Sequence, residues 1–330
     1  MAGSIASGCG SPRVATRALY KFDGALFAVS PLAVNRPGDN FGSARGSESL
    51  RRLPRSGLRQ DSAPVYFPAT TIRRLLRESA RNVVHAALQR SGREPALSLA
   101  AHLMLASGID AGHGVQQESA AGRIGGEAVL RARNPLLSLF GRWQLAGHLH
   151  VGNAIPDDEG CVYIEGAGAR HNDFEREPAL LATLSALDVE TVRGWIARAG
   201  DSKAESLRRP LEGFEAIRAG TSMRHALRLD CAPEIELGLL LASLREAARR
   251  PLVGGHRNIG CGEIRGEYTV LAWPADAPQP LAIGRVEFGF DGFALTGAPL
   301  TAALQRWDEH AANIDEHFDF ERYLLEEEGG

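Results

Sequence analysis

Between residues 67 and 88, in FPATTIRRLLRESARNVVHAAL, apolar side chains recur at Ile72, Leu75, Leu76, Val83, Val84 and Ala87. This i, i+3, i+4, i+7 spacing predicts an amphipathic helix. Pro68, Thr70 and Thr71 supply its N-terminal signature, and Arg73, Arg74, Arg77 and Arg81 fall off its apolar stripe. The run PEIELGLLLASLREAARR (233–250) predicts a second strong helix, started by Pro233 and stopped by Pro251. Further helical periods cover 95–107, 178–199 (Leu180, Leu181, Leu184, Leu187, Trp195) and the stretch around Leu300, Leu304 and Trp307.

Strand patterns alternate with these. RALYKFDGALFAVSPLAV (17–34) is apolar and β-prone on both sides of Gly24, and LAGHLHVGN (145–153) sets Leu149 and Val151 against His148 and His150. In TSMRHALRLDC (221–231), Met223, His225, Leu227, Leu229 and Cys231 face away from Arg224 and Arg228. Ile264, Tyr268, Val270 and Ala272 mark another strand, and 285–295 reads as a hairpin about an Asp291–Gly292 turn. The core order is therefore strand, helix, strand, strand, helix, strand. It predicts an α+β, ferredoxin-like (RRM-like) βαββαβ unit over 14–298, interrupted by insertions at 35–66, 91–133 and 154–213. A disordered Gly/Ser tail (1–13) precedes it, and a C-terminal helix with an acidic tail (299–330) follows.

Charge adds a direction to this outline. The net charge of −3 conceals a separation: 19 Lys/Arg against 9 Asp/Glu in residues 1–150, 16 against 22 in 151–304, and 2 against 9 in the last 26. One surface of such a molecule can follow a phosphate backbone while another repels it. A chance imbalance in an Arg-rich chain (35 Arg, 2 Lys) accounts for the same numbers. The segment 35–66 carries Arg36, Arg45, Arg51, Arg52, Arg55 and Arg59 among Gly, Ser, Asn and Pro, which favours a loop that orders on an anionic partner. No apolar run approaches the roughly 18 residues of a bilayer span, and the N-terminus lacks a signal-peptide pattern, so a cytoplasmic protein without membrane contact is expected. Cys9, Cys161, Cys231 and Cys261 show no CxxC spacing, which argues against a zinc knuckle or a disulfide framework.

No hydrolytic signature is present: the chain has no GxSxG, HExxH or Walker loop. His148 and His150 form an H-x-H pair without a third ligand at a telling spacing, so they read as solvent-facing strand histidines, and neither metal nor cofactor is expected. PLVGGHRNIGCGEI (251–264) stands out. Gly254, Gly255, Gly260 and Gly262 punctuate a loop that leaves a helix and enters a strand, the reverse of a dinucleotide fingerprint. Glycines so placed let backbone amides approach a polymer phosphate, with His256, Arg257 and Asn258 as added donors.

FPATTIRRLLR, LFG followed by GHLHVGNA, FEAIRAGTSMRHALRL, the Leu-rich helix and GGHRNIGCGEI occur in one fixed order. That order resembles the RAMP superfamily of CRISPR effector proteins, specifically the backbone subunit that polymerises along guide RNA (crRNA). Pro68, Ala69, Thr70 and Thr71 match the family's Pro-small-Ser/Thr lead-in to the first helix; Leu139, Phe140 and Gly141 match its LFG element. Arg218, Ala219, Gly220 and Thr221 match the turn before its aliphatic strand, and Gly254 to Gly262 match its Gly-rich loop. Arg257–Asn258 stands where the family often has Arg-Gly. The resemblance covers about residues 17–273, and NPLLSLFGRW (134–143) looks most like the type IV backbone subunit.

The resemblance implies a hand-like shape, with a thumb in 154–213 whose tip holds His171, Asn172, Phe174 and Arg176. Phe174 either wedges against a base or packs under the inserted helix. The arginines at 36–59 would track phosphates, and Thr70, Thr71, Arg73 and Arg74 would bind backbone at the helix start. Arg77 and Arg81 read as a solvated face. Implied partners are guide RNA, copies of this chain in a filament, target nucleic acid (DNA rather than RNA) and other effector subunits, including a helicase. The implied role is binding without catalysis. The alternative is a type III-like subunit that cuts target RNA through an aspartate in the first loop, where Asp39 and Asp61 stand. The acidic residues Asp308–Glu309 and Glu326–Glu328 are expected to face solvent or a partner.

Overall fold

The computed structural model describes residues 18–34, 51–56, 63–90, 99–108, 130–142, 145–165, 169–170, 178–197, 209–210, 213–274 and 278–314. The fold is mixed α+β. In chain order its elements are β1 (Ala18–Ala28), α1 (Ala69–Arg90), α2 (Leu99–Ser107), α3 (Pro135–Phe140), β2 (Leu149–Val151), β3 (Ile155–Pro156), β4 (Val162–Glu165), β5 (Ala169–Arg170), α4 (Ala186–Ala197), β6 (Arg209–Pro210), β7 (Phe214–Ile217), β8 (Ser222–Ala232), α5 (Glu234–Ala247), β9 (Ile264–Trp273), β10 (Leu281–Gly289), β11 (Gly292–Thr296) and α6 (Ala298–Ala312). The main sheet has the order β11–β10–β9–β1–β8–β2 with every pair antiparallel, and β3 also pairs with β8.

Period-2 alternation sends Phe22, Leu26, Leu227, Leu229, Val270 and Phe288 into one buried cluster with Leu76 and Val84 of α1, Leu240 of α5, and Leu300 and Trp307 of α6. Each such side chain contributes about 1.5–3 kcal/mol on burial. The C-terminal helix is thus part of the core. Gly238 makes that possible: a Cβ there would lie 2.2 Å from the Ala303 carbonyl oxygen, so α5 and α6 touch backbone to backbone.

The structure departs from the sequence pattern at three places. Alternation places Cys231 beside Leu229, but the β1–β8 register shifts between Tyr20↔Leu229 and Ala18↔Ala232. Cys231 (φ 51°) is exposed, and Ala232 takes the inward position, as a β-bulge requires. His148 is not solvent-facing: its Nδ1 lies 2.8 Å from Oε2 of the fully buried Glu236. His150 is exposed, 3.2 Å from Asp230. The helix expected over 178–199 divides into a 3₁₀ turn (Pro178–Thr183) and α4.

The sheet face turned away from the helices carries Lys21–Asp23, Arg228–Asp230 and Arg265–Glu267 ion pairs, at 3.0, 2.8 and 2.9 Å. Two short antiparallel ladders, β4–β7 and then β5–β6, lead away from β8 and bracket the segment containing α4. Among the described residues, no helix is long and apolar enough to cross a membrane.

Candidate functional site

The first turn of α1 is fixed from outside. Phe67 and Ala154 exchange backbone hydrogen bonds (2.8 and 2.9 Å), and Asn153 Oδ1 accepts the Ala69 N–H at 2.8 Å, satisfying one of the donors a helix start leaves unpaired. The Gly-rich loop is fixed against the exit of β1. Gly255 N–H donates to Ala33 O (2.7 Å) and Gly262 N–H to Pro31 O (2.8 Å). Gly254 has φ 75°, and a Cβ there would sit 2.3 Å from Ala33 O, so only glycine fits.

These two anchorages produce a cleft of about 350 Å³ lined by Thr70, Thr71, Arg74 and Glu78 from α1, and by Val34, Leu252, Gly254 and Arg257. Two segments far apart in sequence, each singled out for phosphate binding, form its walls. Thr70, Arg257 and Asn258 are exposed. Arg74, with 72% of its side chain exposed, pairs with Glu78 at 2.8 Å. An exposed i,i+4 pair is worth less than about 1 kcal/mol, so a phosphate can compete for that guanidinium. Of the loop glycines, Gly255 and Gly262 turn their amides inward, while the side chains of Arg257 and Asn258 are exposed.

Arg73 and Arg77 are built into the protein. Arg73 donates to the carbonyls of Leu149 (2.6 Å) and Phe140. Arg77 was expected to be solvated, but it is only 8% exposed and donates to Leu105 O, Met104 O and Gly141 O at 2.8, 2.8 and 3.0 Å. These carbonyls lie at the C-terminal ends of α2 and α3, where the helix dipole favours a cation. Both guanidiniums also lie over the Phe140 ring, at 5.6 and 5.9 Å. The RRLLR and LFG motifs are therefore one structural unit. Burial, and then the neighbouring Arg73, pull the Arg77 pKa down to about 10, which leaves it charged at neutral pH. Arg81 is half-buried. The missed signal is that arginines at i and i+4 of one helix can both turn inward when helix ends supply the acceptors.

In the basic segment, Arg36, Arg45 and Arg59 lie outside the described residues, as do Asp39, Asp61, the thumb residues His171, Asn172, Phe174 and Arg176, and Glu326–Glu328. Arg55 is engaged internally: it forks onto Glu215 at 2.8 and 3.0 Å with 9% of its side chain exposed, and Leu53 N–H donates to the same carboxylate. Burial pushes the Glu215 pKa up, but the Arg55 and Leu53 hydrogen bonds with the charges of Arg55 and Arg52 outweigh it and hold it below the ordinary value. Arg52 is half-buried and Arg51 exposed. The His256 pKa is lowered by burial and then by the charge of Arg51. The His256 ring stacks on Phe214, centroids 4.0 Å apart and planes 6° from parallel. Asp308 and Glu309 are exposed, as expected, and Asp308 also binds Arg245 at 2.7 and 3.1 Å, which ties α6 to α5. The chain matches no family model and no curated protein.

Proposed function

We propose that this chain is a backbone subunit of a CRISPR ribonucleoprotein effector complex, most like the type IV kind. In this reading it polymerises along guide RNA through sequence-independent contacts and presents that RNA to target nucleic acid, DNA rather than RNA, without cutting it. The cleft carries the reading: Thr70, Thr71 and Arg74 face Gly254 and Arg257 across it, and these are residues of the two motifs that most resemble the family. Hydroxyls and exposed arginines on two walls suit a phosphate chain passing between them. Guide base pairing, rather than the protein, would then read the target.

The ferredoxin-like palm belongs to the same proposal. Its support is the order β9–β1–β8–β2, with α1 following β1, α5 following β8, and both helices in the one core cluster. The paired ladders β4–β7 and β5–β6 are read as the base of the thumb. RRM-style binding on the open sheet face is disfavoured, because its charges cancel in ion pairs. A helicase and further effector subunits complete the proposed complex, in the cytoplasm.

The test is binding of unrelated single-stranded RNAs across a salt series. Arg74→Ala with Arg257→Ala should weaken all sequences alike and flatten the log–log salt slope by about 0.7 per lost contact. An unchanged slope would remove the cleft from the RNA path.

A further inference from the structure

We propose that the His256 imidazole is a stacking shelf for one nucleobase of the bound RNA, with Phe214 beneath it as a rigid support. This rests on the RNA-binding reading above. Phe214 opens β7, is 5% exposed and is held in a small apolar cluster with Ala33, Ala216, Cys261 and Tyr163. One face of His256 is therefore covered and fixed at stacking distance, while the residue is only half-buried; the opposite face is the one proposed to meet a ligand ring.

The backbone points the same way. His256 sits in the left-handed region at φ 57°, where glycine is strain-free; Gly254 and Gly260 occupy such positions at φ 75° and 88° in the same loop. A bulky ring kept in a strained place, with no side-chain cap bond to explain it, marks a position held for its side chain. Burial and the Arg51 charge both favour the neutral imidazole, so the ring offers a π-face and Arg51 and Arg257 supply the cations. Arg257 belongs to the cleft wall. A nucleotide can thus rest its phosphate in the cleft and its base on the shelf. Every base has a π-face, so the contact tolerates any sequence.

The experiment uses the full chain and single-stranded RNAs that each carry one fluorescent purine analogue. With wild type, the analogue should be quenched by stacking at a defined position. His256→Asn keeps a residue tolerant of φ > 0 and removes the ring. It should abolish that quench and weaken binding roughly tenfold, for all sequences alike, with an unchanged melting temperature. His256→Phe should restore the quench. If His256→Asn loses thermal stability, His256→Gly against His256→Phe gives the same comparison. Wild-type affinity and quenching without the ring would overturn the shelf while leaving RNA binding intact. Absence of RNA binding by wild type would overturn the functional reading and the shelf together.

Discussion

Arg77→Met removes a guanidinium on which three backbone carbonyls converge. The methionine refills much of the aliphatic volume, so packing changes little and the loss falls on hydrogen bonding. Leu105 O, Met104 O and Gly141 O lose donors at 2.8, 2.8 and 3.0 Å in a site only 8% exposed. Hydrogen bonds to a charged group contribute about 1.5–3 kcal/mol each and do not add. Against them stands the cost of holding the cation there, visible in its pKa being drawn down to about 10. Breaking a buried charged constellation by removing one partner typically costs about 3–5 kcal/mol, and the offset places the expected loss near the lower end, about 3 kcal/mol. That is a large share of the 5–15 kcal/mol available to a typical fold. Arg77→Lys keeps the charge but not the planar fork, so it should lose about half as much. Urea unfolding followed by circular dichroism measures this as a lower midpoint at constant slope. A methionine variant within about 0.5 kcal/mol of wild type would refute the claim that Arg77 ties α2 and α3 to α1.

Gly238→Ala places a Cβ 2.2 Å from Ala303 O and 2.9 Å from the Trp307 Cβ; calorimetry should show a loss of about 1–3 kcal/mol or more as α6 is pushed off α5. Gly254→Ala meets Ala33 O at 2.3 Å with φ 75°, whereas Gly255→Ala meets nothing closer than 3.7 Å, so thermal melting should penalise the first and spare the second. His225 is buried, with Nε2 donating to Gly152 O (3.1 Å) and Nδ1 accepting from the Tyr268 hydroxyl (2.7 Å), and burial lowers its pKa from 6.5 to about 4. The unfolded chain therefore protonates first: this contribution is complete above pH 6.5 and is lost as pH falls toward 4, amounting to about 3 kcal/mol. Unfolding free energies measured across that window should lose this pH dependence in His225→Gln.

The sheet and its two principal helices were legible because each buries one face, and a buried face imposes its period on the sequence. β8 shows the limit: a bulge shifts the period by one, and nothing in TSMRHALRLDC marks that Cys231 leaves the face and Ala232 joins it. α3 is six residues long, too short to show a period, although Asn134 and Pro135 are the capping residues its start uses. In the candidate site, Thr70, Thr71, Gly254 and Arg257 stand out in the sequence and line one cleft. The internal partners of Arg73, Arg77 and Arg55 leave no local pattern, because they are carbonyls of helix ends or a carboxylate about 160 residues away. The stack of His256 on Phe214 was equally hidden, since it joins a loop to a strand through tertiary contact alone.

As the proposed backbone subunit, this chain would coat RNA irrespective of sequence. The most direct measurement images the purified full chain by electron microscopy with unrelated single-stranded RNAs of several lengths. Regular filaments whose length grows in proportion to the RNA, and which dissolve as salt rises, are the expected result. Isolated particles that ignore RNA, or assemblies that form on one sequence alone, would contradict it.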